Sequence, residues 1–354
     1  MGLFTKKTGA SYVGIDLGMS GMKIVELLNE RGRARLVTYA YADYPTSSTE
    51  RKFLDDPART AALLKKVMSK ARVTTKRCIT ALSNSSIFSS IITVPAANEK
   101  ELQDAVRYQA GKLIPIPLEE ISLDSKILDS EGSGSGKKVA RVLLTGAPQS
   151  LVNAYVEILG RASMEPLALE PESLAQIRAL VGRDRSTVMI IDMGSFRTNI
   201  TVVERGIPFV SRSIASGGAS VTANIASTLG IPQDQAETMK RDIESMQQFA
   251  PAGDIFPILE MLLKPVIDEV KYSFNLYQGQ SENGQQKRID KIILTGGSSL
   301  LPRLSEFFTK LMNVNAYRGD PWARVVYPED LRPVLEEIGP RFSVAVGCAM
   351  RDIE

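Results

Sequence analysis

Histidine is absent from the sequence. That removes every Ser-His-Asp, Cys-His and His-metal mechanism at once, so any chemistry must rest on carboxylates, Lys or Arg, hydroxyls and a bound metal. Cysteine is nearly absent too. Cys78 and Cys348 stand far apart and without metal-ligand neighbours, which argues against a structural disulfide or a zinc site and fits a reducing compartment. No stretch approaches the run of about 20 apolar residues that spans a bilayer. The opening Met1-Gly2-Leu3-Phe4-Thr5-Lys6-Lys7 is too short and polar for a signal peptide and does not fit the N-terminal acylation pattern. A cytoplasmic protein without direct membrane insertion is expected. A large excess of charge is also missing: the net charge is +3, with no basic face or reading motif of a nucleic-acid binder.

The chain has 354 residues, of which 44% are hydrophobic and 23% charged. That is ordinary for a soluble globular protein and long enough for two domains with their own cores. Its arrangement is less ordinary, because one hairpin is written twice. Gly14-Ile15-Asp16-Leu17-Gly18-Met19-Ser20-Gly21-Met22-Lys23-Ile24-Val25 and Ile190-Ile191-Asp192-Met193-Gly194-Ser195-Phe196-Arg197-Thr198-Asn199-Ile200-Thr201 each read as strand, Asp-x-Gly, polar turn, strand. Small residues at such a turn let backbone N–H groups approach phosphate oxygens. An Asp at the strand end suits a hydrated Mg²⁺, which keeps several waters and needs only one or two carboxylates besides the phosphates. Asp16 and Asp192 are therefore the expected metal residues, and Gly18, Met19, Ser20, Lys23, Gly194, Ser195 and Thr198 the expected phosphate contacts. Each copy alone fits an ordinary hairpin turn. Two copies in one context point to a duplicated domain clasping a nucleotide between its halves.

Around the first hairpin, the pattern predicts a third strand over Ala34–Tyr41, a helix over Pro57–Met68 and a strand over Arg77–Leu82, the β-β-β-α-β order of a ribonuclease-H-like unit. An insertion follows. It has a strand over Phe88–Val94, an amphipathic helix over Glu99–Leu113 stopped by Ile114-Pro115-Ile116-Pro117, and a strand over Ile121–Leu128. A Gly/Ser-rich tip over Glu131–Lys138, a return strand from Val139 and a helix over Gln149–Leu159 complete it. The expected divisions are 1–84, 85–164 and 165–354. In the last, Gly217-Gly218 opens a helix, a single long helix runs over Ile255–Gln278, a strand ends at Thr295, and the final helix covers Phe342–Asp352.

Three further constellations stand out. Gly296-Gly297-Ser298 follow a strand at an apparent helix N-terminus, favourable for a phosphate or a stacked base, or merely a βα turn. Glu237 and Lys240 share a helix face; they are either a solvated ion pair or contacts to ribose and base. Glu170, at an apparent strand end, either orients a water toward the terminal phosphate or is a first-turn helix carboxylate.

These residues, in this order, resemble the actin-like ATPase superfamily. Its five segments map to Ile15–Leu27, Leu169–Leu180, Val188–Val203, Ile292–Pro302 and Phe342–Met350. The run Ser216-Gly217-Gly218 to Ala226, then Ala236-Glu237-Thr238-Met239-Lys240, is similar to the FtsA and PilM families, as is the insertion, called subdomain 1C. The opening Gly2–Lys7, the stretch Glu101 to Asp124 and a close at Glu354 without the basic amphipathic tail of FtsA favour PilM. The resemblance implies an α/β actin-like ATPase fold of two ribonuclease-H-like halves with an inserted 1C subdomain. It also implies ATP and Mg²⁺ as ligands, turnover that is slow at most, and a place in type IV pilus assembly at the inner membrane. The implied partner is a PilN-like bitopic protein whose cytoplasmic tail enters a groove involving 1C, with Tyr108, Leu113, Ile114, Ile116 and Leu123 as its apolar residues. A pilus motor ATPase and a second copy of the chain are further expected partners. An FtsA-like division filament and a small-molecule kinase of the same superfamily are the alternatives.

Overall fold

The computed structural model describes residues 9–44, 54–95, 98–132, 138–242, 247, 254–282 and 285–353. The opening Gly2–Lys7, the turn at Pro45 and the middle of the Gly/Ser-rich tip, 133–137, lie outside the described residues.

Apolar runs make β1 (Ser11–Gly18) and β2 (Gly21–Glu30) strands that are almost wholly buried. They pair antiparallel from Ser11↔Leu28 to Gly18↔Gly21, and β3 (Arg33–Asp43) continues the meander. Helix α1 (Pro57–Lys70), capped by Asp56 accepting from the Arg59 N–H at 2.9 Å, carries the chain over to β4 (Arg77–Leu82), parallel to β1.

The insertion is β5 (Phe88–Pro95), α2 (Glu99–Leu113), β6 (Ile121–Gly132) and β7 (Lys138–Pro148). The strands form their own sheet, ordered β5-β7-β6, over a small core that includes Val94, Val106, Ala110, Val142 and Leu144. Helix α3 (Gln149–Arg161) departs from its expected place in the insertion. Its buried face, Tyr155, Ile158 and Leu159, packs with Leu64, Val67 and Met68 of α1 under the first sheet. Adjacency in sequence to β7 is outweighed by the apolar surface available on α1. Strand β8 (Glu165–Pro171) likewise joins the first sheet, parallel to β4 at its edge, and leads into α4 (Glu172–Gln176) and a π turn over Ile177–Val181.

The second sheet repeats the first. Strands β9 (Val188–Met193), β10 (Thr198–Glu204) and β11 (Ile207–Ile214) form the meander. Helices α5 (Gly218–Leu229), α6 (Gln233–Arg241), α7 (Phe256–Leu262) and α8 (Lys264–Gln278) follow, then a short ladder of β12 (Ser281–Glu282) with β13 (Gln285–Gln286). Strand β14 (Lys291–Thr295) lies parallel to β9, α9 (Leu304–Met312) crosses over, and β15 (Ala316–Arg318) lies parallel to β14. The long helix expected over Ile255–Gln278 is broken at Leu263. Pro265 lacks the N–H for the i−4 bond and its ring crowds the preceding turn, so a new helix starts there. The Gly296-Gly297 pair also departs from expectation: it opens a 3₁₀ turn, Gly297–Leu300, and the α-helix begins only at Leu304.

The chain then returns to the first half. Strand β16 (Val325–Val326) pairs with β3, α10 (Arg332–Ile338) follows, and α11 (Ser343–Met350) is buried at all its positions, as a helix apolar on every side must be. It fits between β1 and α4 because both contacts are glycines. A Cβ on Gly14 would lie 1.8 Å from the Ala345 carbonyl oxygen, and one on Gly347 would lie 1.9 Å from that of Ala175.

Candidate functional site

The two hairpin turns and the Gly296 turn converge. At the end of β1, Asp16 faces Lys23 across the ladder; the ammonium lies 3.3 Å from the carboxylate, with side chains 11% and 12% exposed. In the second copy Asp192 occupies the same place, but opposite Asn199. Its carboxylate accepts from Gln176 Nε2 at 2.8 Å. Burial raises the Asp192 pKa, a tendency the nearby Asp16 charge reinforces and the Gln176 bond opposes. Gly296, at φ +81°, seals the other side: a Cβ there would meet Asp192 Oδ1 at 2.4 Å.

Backbone dominates the rest of the cleft. The Gly218 N–H donates to Gly194 O at 2.9 Å and the Ala219 N–H to Ser195 O at 2.7 Å. Ser298 Oγ donates to Gly194 O at 3.0 Å. A Cβ on Gly217 would lie 2.5 Å from Gly194 O, and one on Gly218 2.3 Å from Ser298 Oγ. The second turn, the Gly217-Gly218 pair and Ser298 are thus one knot, and Gly297 is exposed beside it. The Thr198 hydroxyl is turned inward and donates to Ser216 O at 2.7 Å. In the first turn Ser20 O accepts from the Tyr44 N–H at 2.9 Å, Met19 projects into solvent, and a Cβ on Gly18 would come 3.0 Å from the Lys23 ammonium.

Glu237 and Lys240 do form an ion pair, but an anchored one. Buried Lys240 donates to Gly218 O at 3.2 Å, to Thr222 Oγ1 at 2.9 Å and to Glu237. Burial lowers the Lys240 pKa; it pushes Glu237 up, but bonds from Lys240 and Thr222 outweigh that and leave Glu237 below its usual range. The pair thereby steadies the glycine knot.

Glu170 is not open to the cleft. Arg178 grips it through two bonds of 2.7 and 2.8 Å and also donates to Gly347 O, and Arg351 stands 3.8 Å away. Two residues on, Glu172 stands in the first turn of α4. It is half-buried, and desolvation followed by the charges of Asp16 and Asp192 pushes its pKa up to about 8. Tyr44, near Asp16, was not singled out either; burial first, then the Asp16 charge, raises its phenol to about 12.

Mg²⁺ and a nucleotide fit this cleft. No cluster of three or more His, Cys, Asp or Glu able to hold a metal occurs among the described residues; Asp16 and Asp192 at the two turns are the carboxylates that would hold a hydrated Mg²⁺, which needs only one or two besides the phosphates. Gln176 Oε1, Asn199 Oδ1, Asn84 Nδ2 and Tyr44 Oη are buried without a hydrogen-bond partner among the described residues, the state expected of groups that complete their bonding with waters or a ligand.

A model of the family described as type IV pilus assembly protein PilM matches residues 14–353. The chain belongs to that family. The structure is similar to the chain in the PilM-PilN type IV pilus biogenesis complex, with TM-score 0.82, 26% identity, and 98% of this chain and 99% of that chain covered. MreB5 of Spiroplasma citri, solved with AMPPNP, is similar at TM-score 0.51 and 12% identity over 95% of this chain and 94% of that chain. The actin-like ATPase fold is thereby established. Cell division protein FtsA of Borreliella burgdorferi is 26% identical over 236 residues, 59% of this chain and 53% of the relative, and FtsA of Neisseria meningitidis 25% identical over 262 residues, 68% and 57%. The chain therefore spans little more than half the length of these relatives, and so distant a likeness does not favour the division-filament alternative.

For a PilM-family chain the insertion is the second place of interest. Tyr108, Leu113 and Ile116 are exposed, at 63%, 44% and 39%. Lys112 lies 4.1 Å over the Tyr108 ring, and a hydrogen bond from it, then its charge, lowers the Tyr108 pKa. Ile114 is not available there. It is buried in the insertion's core, its Cδ1 only 3.0 Å from where a Cβ on Gly146 would stand, and Leu123 is half-buried against the same core. Ile127 of edge strand β6, 54% exposed, was not anticipated; its alternation with Ile121 and Leu123 would place it toward the core. Among the described residues no helix is long and apolar enough to cross a membrane.

Proposed function

We propose that this protein is an ATP-binding, actin-like scaffold of type IV pilus assembly, whose closure around the nucleotide tunes how the inserted subdomain holds a PilN-like cytoplasmic tail. The observation that carries the reading is the pair Asp16 and Asp192, placed at equivalent ends of two hairpins and backed by glycine-lined backbone and orphaned buried polar groups. In this reading Asp16 and Asp192 hold Mg²⁺ through water. Lys23 faces the phosphates, the Gly194–Gly218–Ser298 knot presents backbone, and Lys240 with Glu237 flanks the nucleoside. Bound Mg-ATP supplies the charge that makes the closed arrangement the more favourable one, and only such differential affinity shifts the equilibrium. Glu170, held by Arg178, is reserved for structure, which accords with turnover that is slow at most.

The likeness to the PilM-PilN complex supports the partner. Tyr108, Leu113 and Ile116, exposed on the insertion whose strand β6 is a sheet edge, suit an extended tail that adds apolar anchors to strand-edge bonds. The protein then works at the cytoplasmic face of the inner membrane through that tail. A motor ATPase and a second copy remain further partners in this proposal.

Isothermal titration of the protein with Mg-ATP, beside the Asp16→Ala, Asp192→Ala double variant, tests it. Binding that disappears in a folded double variant is expected. A folded wild type that takes up no nucleotide sinks the site.

A further inference from the structure

Asn84 is the last point of the first half before the insertion: it opens a 3₁₀ turn, Asn84–Ser86, that leads straight into β5. It is tied to the start of α4 twice. Its N–H donates to Glu172 Oε2 at 3.2 Å, and its Oδ1 accepts from the Ser173 N–H at 3.2 Å. The same Glu172 oxygen accepts from Asn199 Nδ2 at 3.3 Å, and Asn199 is the residue paired with Asp192 across the second hairpin. One turn along α4, Gln176 holds Asp192 itself. Strand β11, which continues that hairpin, lies against the 3₁₀ turn and β5.

We infer that Asn84 and Glu172 are positioning residues that tie the root of the insertion to the second hairpin, so that filling the cleft changes how the insertion is held. The inference rests on the nucleotide reading of the cleft and specifies its regulation. Its physical basis is the high cost of an unpaired buried polar group compared with the small net gain of a made bond. If the hairpin shifts, Glu172 loses Asn199 unless α4 follows, and α4 cannot follow without carrying Asn84 and the root of β5. The atoms orphaned around this bridge, Asn84 Nδ2, Asn199 Oδ1 and Gln176 Oε1, belong to the side chains that make it. A ligand or water entering the cleft therefore changes the bonding of the bridge itself.

The test is amide hydrogen exchange of the full chain with and without Mg-ATP, alongside titration, for the wild type and the variants Asn84→Ala, Glu172→Ala and Glu172→Gln. In the wild type Mg-ATP is expected to slow exchange across 88–95 by about threefold or more, a local opening effect. Asn84→Ala removes the Oδ1 tie to Ser173 and keeps the backbone tie to Glu172, so at Mg-ATP saturation, set by its own titration, the change over 88–95 should be smaller than in the wild type. Glu172→Ala should lose the response and Glu172→Gln, which keeps an acceptor oxygen, should retain it. The bridge is overturned if the wild type binds Mg-ATP without any change over 88–95, or if Asn84→Ala and Glu172→Ala transmit it undiminished. A wild type that binds no nucleotide overturns the nucleotide reading and the bridge together, and titration separates that case from the other two.

Discussion

Replacing Gly347 by alanine sets two effects of opposite sign against each other. Glycine inside a helix costs about 1 kcal/mol relative to alanine, so propensity alone makes the variant more stable. Packing opposes this. The new Cβ would lie 1.9 Å from Ala175 O and 2.4 Å from its carbonyl carbon; both are backbone, so no rotamer change relieves the clash and α11 must move off α4. Overpacking costs about 1–3 kcal/mol, and a clash with backbone belongs at the upper end, leaving a net loss of about 2 kcal/mol. For a cooperative unit of about 150–250 residues that lowers Tm by roughly 4–8 °C. The reporter is built in. Trp322 is the single tryptophan, 1% exposed in the same core as α11, with ring centroids 6.1 Å from Tyr39 and 5.7 Å from Phe342. Gly160 in α3 is the control, since a Cβ there meets nothing within 4 Å; Gly160→Ala should gain up to about 1 kcal/mol from propensity. Fluorescence melts of both variants decide the matter. A Gly347→Ala protein that melts at or above the wild-type temperature refutes the packing argument.

Other substitutions test the site and its surroundings. Glu172 has a folded-state pKa raised from an ordinary 4.5 to about 8, so its contribution to stability is fully present below about pH 4.5 and lost as pH rises to about 8; the Tm of Glu172→Gln relative to wild type should therefore rise across that window, and a constant difference contradicts the shift. Arg178→Ala strips the buried Glu170 of its two-bond partner and should cost about 3 kcal/mol in a urea melt; a loss below about 1 kcal/mol would mean that Arg351 replaces it. Gly296→Ala forces a side chain into a left-handed backbone and onto Asp192, and should weaken Mg-ATP binding in titration by about tenfold or more, for roughly 1–3 kcal/mol of strain. Tyr108→Ala with Ile116→Asp should weaken capture of a PilN-like tail peptide in fluorescence anisotropy while leaving Mg-ATP affinity unchanged; loss of both would place these residues in the fold instead.

The hairpins were legible because period and duplication are local properties: the pairing that starts at Ser11↔Leu28 and the matching Asp192 ladder follow from apolar runs joined by Asp-x-Gly. What was not legible depends on which surfaces meet. Pro265 was visible, yet apolar spacing continues across it, so the break at Leu263 was read through. The allegiance of α3 depends on α1, which is distant in sequence. Glu170 and Glu172 flank one proline and look alike on paper. Only the fold shows that Arg178 takes the first and that the second, half-buried, feels the charges of two aspartates. Ile114 sits in a run of Ile and Pro that reads as exposed loop, but Gly146 leaves room for it in the core.

The burial of α11 against β1 has a consequence for how the protein is made. Gly14 emerges from the ribosome early, and its covering residue Ala345 more than three hundred residues later. Trp322, Val325 and Phe342 of the same core are equally late. The first half therefore cannot close its core when its own strands have been synthesised, whereas the second sheet and the helices packed on it come from one continuous stretch. The second half can thus complete its core before the first half does, although it is made later. Until the last segment arrives, one face of β1 and β2 stays uncovered, which makes the nascent first hairpin the point most exposed to misassociation.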